Sequence, residues 1–183
     1  MFRILTCICV STFLTSCASL HSRQLVAAEG LIDAFYSFDA DHLASLLSSA
    51  EESIPFIVYY QGWAEGGNYQ IVERKPCQDK GSNNIVCSIT VRDDPMLALG
   101  IDFNVTDTFH VSFVEGEISS VKTSSDDLQV YKDAADWVRR ELPELILKPC
   151  AGFFAGGTTP ADCARAMTEG YSKFAASKDF PER

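Results

Sequence analysis

The sequence predicts an α+β fold in which helical segments precede and follow a block of antiparallel strands. Three patterns carry this. Apolar residues recur at helical spacing from Gln24 to Phe38, alternate with polar residues from Ile85 to Arg92, and return to helical spacing beyond Asp126.

In the first predicted helix, Ala28, Leu31, Ile32, Phe35 and Phe38 share one face, with Glu29, Asp33 and Ser37 between them. Asp39 suits the N-cap of a short second helix, Ala40 to Leu47, whose apolar face is Leu43, Leu46 and Leu47. Pro55 opens the apolar run Phe56 to Trp63, which reads equally as helix or strand. Tyr69 to Arg74 and Ile85 to Arg92 read as strands, parted by Pro76 and the polar turn Asp79 to Asn83. Pro95 to Gly100 reads as a helical turn or loop. Asp102 to Val114 and Glu117 to Ser124 form a second strand pair around the hairpin signal Glu115-Gly116. In the last third, Val130, Ala134, Trp137 and Val138 line one face of a helix from Leu128 to Arg140, and Pro143 interrupts it. Thr159-Pro160-Ala161-Asp162 places a cap, a first-turn proline and an acid at the start of a final helix running to about Ala176.

The N-terminus reads as an export signal. Met1-Phe2-Arg3 is a short basic region and Ile4 to Leu14 an apolar stretch, too short for the roughly 20 residues that span a bilayer. Leu14-Thr15-Ser16-Cys17 resembles a bacterial lipobox, which implies cleavage after residue 16 and lipidation of Cys17; the alternative is a small-residue cleavage site near Ala18 and a soluble product. The expected organisation is a signal at 1–16, a tether at 17–23, a core domain at 24–126 and a helical extension at 127–183. Multiple acyl chains would anchor the protein to the cell envelope, on the periplasmic side of the outer membrane.

Of seven cysteines, Cys7 and Cys9 leave with the signal and Cys17 is the expected lipid site. Cys77, Cys87, Cys150 and Cys163 remain, with three possible pairings. Cys77 and Cys87 flank a polar turn and suit a bridge across a hairpin, leaving Cys150 and Cys163 to staple a glycine-rich loop. Each short loop implies roughly 2 to 3 kcal/mol on a chain-entropy account. The formal charge of -10, with no cluster of Lys or Arg, argues against nucleic-acid binding. His21, His42 and His110 lack metal-ligand spacing, and no metal or cofactor is expected.

Helices followed by an antiparallel sheet, with the hairpin Phe109-His110-Val111-Ser112-Phe113-Val114-Glu115-Gly116-Glu117-Ile118, resemble the nuclear transport factor 2-like superfamily. That superfamily includes SnoaL-like polyketide cyclases and ketosteroid isomerases. The resemblance covers about residues 24 to 126. It implies a cone in which the first helix and the concave face of the sheet enclose an apolar pocket. Residues 128 to 178 form an extension that the core family does not require. The family also contains enzymes, transport factors and dimerisation modules, so fold alone leaves function open.

An isomerase or cyclase on this scaffold needs a general base and a donor to an enolate-like oxygen. Candidates on the long strand are Asp102, Asp107 and His110, joined from the helical side by Tyr36, Tyr59, Tyr60 and Trp63. Asp102, His110 and Tyr59 are taken as the candidate catalytic set, and Phe35, Tyr60, Trp63, Phe109 and Phe113 as the pocket wall. His110 and Ser112 alternate with Phe109, Val111 and Phe113, so only one set faces inward. If the aromatic set lines the cone, His110 is a surface histidine. Asp102 and Asp107 fall on opposite faces of a regular strand, so at most one is internal. Phe153 to Thr159 followed by a helix suggests a phosphate-cradling loop but lacks the lysine of a P-loop, and a disulfide-closed loop is the simpler reading. These residues lead to two expectations. One is an envelope lipoprotein binding a small apolar ligand or pairing through its sheet as a homodimer. The other is a cofactor-free isomerase, cyclase or hydrolase.

Overall fold

The computed structural model describes residues 13–151 and 160–181. The expected export signal lies mainly outside these residues, as does the glycine-rich segment Phe153 to Thr159. The described chain is α+β, with an open five-stranded antiparallel sheet packed against helices.

Helix α1 (Phe13–Tyr36) begins earlier than its apolar stripe and takes in the stretch 17–23 expected as a tether. Ala28, Leu31, Ile32 and Phe35 are completely buried along one face. Helix α2 (Ala40–Leu46) starts where Asp39 accepts a hydrogen bond from the His42 backbone N–H at 2.9 Å. A 3-10 turn at Glu51–Ser53 leads into α3 (Ile54–Gly66). The ambiguous apolar run is therefore helical. Pro55 sits in its first turn, and Ile57, Gln61 and Ala64 are buried at spacings of four and three. Neighbours on several sides explain why its hydropathy shows no simple stripe: α1 and α2 contact it, and α7 (Pro160–Ala175) crosses it closely at Gly62 and Gly66. A side-chain methyl at Gly66 would collide with the Ala161 backbone.

Strands β1 (Gln70–Arg74) and β2 (Gln78–Asp79) both pair with β3 (Asn84–Arg92), followed by β4 (Val105–Val114) and β5 (Glu117–Ser125) in the order β1-β3-β4-β5. Residues 102 to 104 precede β4 rather than extend it. Val105, Asp107, Phe109, Val111 and Phe113 face the helices, and the intervening residues face outward. The aromatic set is thus the inner one. Ser88, Thr90, Thr106, Thr108, His110 and Ser112 cover the middle of the outer face, which is rich in hydroxyls rather than apolar groups.

Short α4 (Asp94–Ala98) links β3 to β4, and after the sheet come α5 (Gln129–Glu141) and α6 (Pro143–Leu147). Pro143 ends one helix and opens the next, since it lacks the N–H to continue the first but has the φ suited to a first turn. Cys77 is bonded to Cys87 and Cys150 to Cys163. The second bridge ties the end of the α6 segment to α7 in the helical C-terminal region. Arg74 on β1 reaches back to Glu29 (2.7 Å) and Asp33 on α1, and Glu29 also accepts from the Cys77 backbone N–H at 2.6 Å.

Candidate functional site

The inner face of β4 carries one ionisable residue, Asp107, between Val105 and Phe109, and it is fully buried. Two helices bring phenols to it. Tyr36, the last residue of α1, donates from its hydroxyl to Oδ2 at 3.2 Å, and Tyr60 on α3 donates to Oδ1 through a short hydrogen bond. Their positions are locked by Gln61, whose buried amide donates to the carbonyls of Ala34 and Phe35 at 3.0 and 3.1 Å. That amide adds to the bonds these carbonyls accept from the Ser37 and Phe38 N–H groups at the end of α1, and it fixes α3 against that helix.

Burial raises the Asp107 carboxyl from 3.8 to about 7, while the Tyr60 and Tyr36 hydroxyls oppose the rise and the charges of Asp127 and Asp93 add to it. Tyr36 and Tyr60 are in turn pushed well above the ordinary phenol value, first by burial and then by the adjacent carboxylate. Asp107 therefore exchanges its proton near neutrality, whereas the phenols remain protonated. With a proton on the acid, one phenol becomes acceptor and its own O–H is released to point elsewhere.

The core around this cluster is filled. Phe35 packs edge-on to Phe109 at 4.9 Å between ring centroids, and Tyr60 lies 5.3 Å from Phe35. Phe35, Phe109 and Phe113, expected to wall a pocket, are buried in the core. Large aromatic rings occupy the space that a hollow cone would leave open.

Tyr60 and Trp63, one turn apart on α3, do line a cavity, of about 190 Å³. Tyr69, just before β1, and Tyr131, on α5, complete its aromatic walls. Thr123, Ser124 and Ser125 at the end of β5 and Asp127 on the following connection supply polar groups. The Ser125 hydroxyl donates to the Asp127 carboxylate, and the Trp63 side chain hydrogen-bonds to Tyr69. Asp93 lies near enough to act electrostatically on Asp107, Tyr69 and Tyr131. Its Oδ1 caps α4 by accepting from the Met96 N–H at 2.7 Å, while its buried Oδ2 has no hydrogen-bond partner. Burial, first, and the charges of Asp127 and Asp94 hold this acid up at about 6, against the lowering effect of the Met96 N–H.

Larger concavities lie elsewhere. A groove of about 860 Å³ runs between the 3-10 turn and β5, lined by serines and by Glu51 and Glu52, and it does not adjoin Asp107. Another of about 340 Å³ lies on the far side of Trp63, among Ile146, Leu147, Met167 and the Cys150–Cys163 bridge. The smaller cavity is the candidate site because Tyr60 connects it to a buried carboxyl, whereas Tyr60 lines neither these two grooves nor those of about 490 and 430 Å³ against α7.

The three expected catalytic residues do not converge. Asp102 is exposed on the segment before β4, and His110 sits on the outer face opposite Val86 and Lys122, on the other side of the sheet from Asp107. Strand alternation separates them: residues 107 and 110 differ by an odd number and so point to opposite faces. Tyr59 is next to Tyr60 in sequence but lies on a different side of α3, in the groove with Phe38, Pro160 and Arg165. Burial raises its phenol to about 12, opposed by the charge of Arg139. The parity shared by Asp107 and Phe109 was the readable signal for the internal acid. No comparable pattern marks Tyr69, Tyr131 or Asp127, which come from separate elements.

Among the described residues, no group of three or more His, Cys, Asp and Glu side chains could hold a metal ion, and no helix is long and apolar enough to cross a membrane. Compared with known proteins, the chain matches no family model, no curated protein and no solved structure.

Proposed function

We propose that this is an exported, lipid-anchored protein of the nuclear transport factor 2-like type that binds a small molecule in the cavity formed by Tyr60, Trp63, Tyr69 and Tyr131. The observation that carries the reading is the position of Tyr60, which forms part of the cavity wall and donates to the buried Asp107. A ligand touching the Tyr60 hydroxyl therefore senses the protonation state of a carboxyl that no solvent reaches. The filled core argues for a ligand seated at the end of the sheet rather than deep within a cone.

Fragment screening by amide NMR tests this. Hits are expected to shift the signals of Tyr60, Trp63, Tyr69 and Tyr131, and Tyr60→Phe is expected to weaken them. Hits confined to the Ile146 and Leu147 groove would refute the assignment.

A second reading, a cofactor-free isomerase or cyclase, draws support from the Asp107 carboxyl standing at about 7, where a general acid or base works best. It requires a substrate to reach Tyr60 and exchange a proton through it, since Asp107 itself is enclosed. Proton–deuterium exchange into enolisable ketones, abolished in Asp107→Asn, would establish that reading.

Two disulfides support placement in an oxidising compartment, where such bonds persist. Metabolic acyl labelling tests the anchor: the wild type should incorporate label and Cys17→Ser should not. Label retained by the serine variant would refute lipidation at Cys17.

A further inference from the structure

We infer that the cavity beside Tyr60 selects a small methylated or quaternary ammonium ion, a ligand class that rests on the binding reading above and sharpens it. The inference stands on which groups meet there. Tyr60, Trp63, Tyr69 and Tyr131 supply four electron-rich rings, and Asp127 supplies a carboxylate on the same wall. Aromatic faces carry the negative end of the ring quadrupole and attract a cation placed over them, tryptophan most strongly. No lysine or arginine is among the residues lining the cavity, so a cation inside meets no like charge in its wall.

The surroundings are negative beyond the first contacts. Asp93 and Asp107 both lie within electrostatic reach of Asp127, and their mutual repulsion is relieved when a positive charge arrives. Asp93 adds a buried oxygen without a hydrogen-bond partner, an uncompensated acceptor in the same acidic cluster. A metal ion is a poor occupant, because no three ligating side chains are grouped among the described residues. An anionic ligand would face the carboxylates.

Size restricts the cation. A volume of about 190 Å³ corresponds to about six waters of bulk liquid, enough for a trimethylammonium head but not for a lipid tail. Methyl groups suit such a site because they spread the positive charge over a rounded apolar surface. Thr123, opposite inward-facing Phe109 on β4, shares the sheet face of Asp107 and supplies a hydroxyl on the cavity wall for a polar tail such as an alcohol.

The test uses the full-length protein in a non-ionic detergent and isothermal titration calorimetry with choline, tetramethylammonium and 3,3-dimethylbutan-1-ol, the neutral isostere of choline. Choline is expected to bind roughly tenfold more tightly than the alcohol, within the range of cation–aromatic attraction. Asp127→Asn, which removes charge without changing shape, should weaken choline severalfold and leave the alcohol unaffected. Tyr131→Leu should do the same if the ring acts on the cation. Equal affinity for choline and the alcohol would refute the cation class while leaving a small-molecule site in place. Failure of all three probes, together with fragment hits mapping elsewhere, would refute both.

Discussion

Replacing Asp107 by Asn should change how stability depends on pH, in a direction the structure dictates. Asp107 titrates at about 7 in the folded protein against 3.8 ordinarily. Between those values the folded state holds a proton that the unfolded state has released. Stability contributed by the protonated acid is therefore full below about pH 4 and is lost as pH rises toward 7. At 1.36 kcal/mol per pH unit, the whole difference is about 4 kcal/mol. Asparagine keeps the shape, can hydrogen-bond to both phenols and does not titrate. The stability of Asp107→Asn relative to wild type should then rise by about 4 kcal/mol between pH 4 and pH 8. The assay is urea unfolding followed by circular dichroism at several pH values with disulfides intact. Asp93, held at about 6, imposes a slope of the same sign on both proteins, so the difference between them reports Asp107 together with its coupling to Asp93. Parallel curves for the two proteins would refute the raised acid and, with it, the link from Tyr60 to a titrating group.

Tyr60→Phe removes a hydroxyl that stabilises the Asp107 carboxylate, so the carboxyl should titrate above its present value of about 7; carbon-detected NMR of labelled aspartate checks this, and a fall would contradict the hydrogen bond. Gly66→Ala should cost about 1 to 3 kcal/mol in urea unfolding, because the methyl meets the fixed backbone of Ala161. Gly30→Ala, with open space around the added carbon, should instead stabilise α1 by about 0.5 to 1 kcal/mol. Joint replacement of Cys77 and Cys87 by Ser should cost about 3 kcal/mol on chain entropy for a separation of 10 residues, read as a lower urea midpoint.

Much of the sheet was legible in the sequence because one side of it is buried. The alternation of Ile85, Cys87, Ile89 and Val91, and that of Phe109, Val111 and Phe113, mark inward positions by simple parity. The same parity places Asp107 inward, yet its partners are not legible: Tyr60 and Tyr36 lie 47 and 71 residues away and arrive through helix packing. Helix α3 was ambiguous for a related reason. Contacts from α1, α2 and α7 leave it no single apolar stripe to reveal its period. The cysteine pairs were readable from spacing, since each closes a short local loop. The aromatic cavity was the least legible part, drawing Tyr60 and Trp63 from α3, Tyr131 from α5, the end of β5, and Tyr69 and Asp127 from two connections.

The two disulfides also bear on how the chain matures. Each joins neighbours in the series Cys77, Cys87, Cys150 and Cys163. In a compartment that oxidises thiols in the order they emerge, Cys77 meets Cys87 before Cys150 has arrived, and the native set forms without reshuffling. Strands β3, β4 and β5 follow the same rule, each pairing with the one made just before it. Assembly can therefore proceed from one end of the chain to the other, served by a thiol oxidase alone, and loss of a disulfide isomerase should leave the yield of folded protein unchanged.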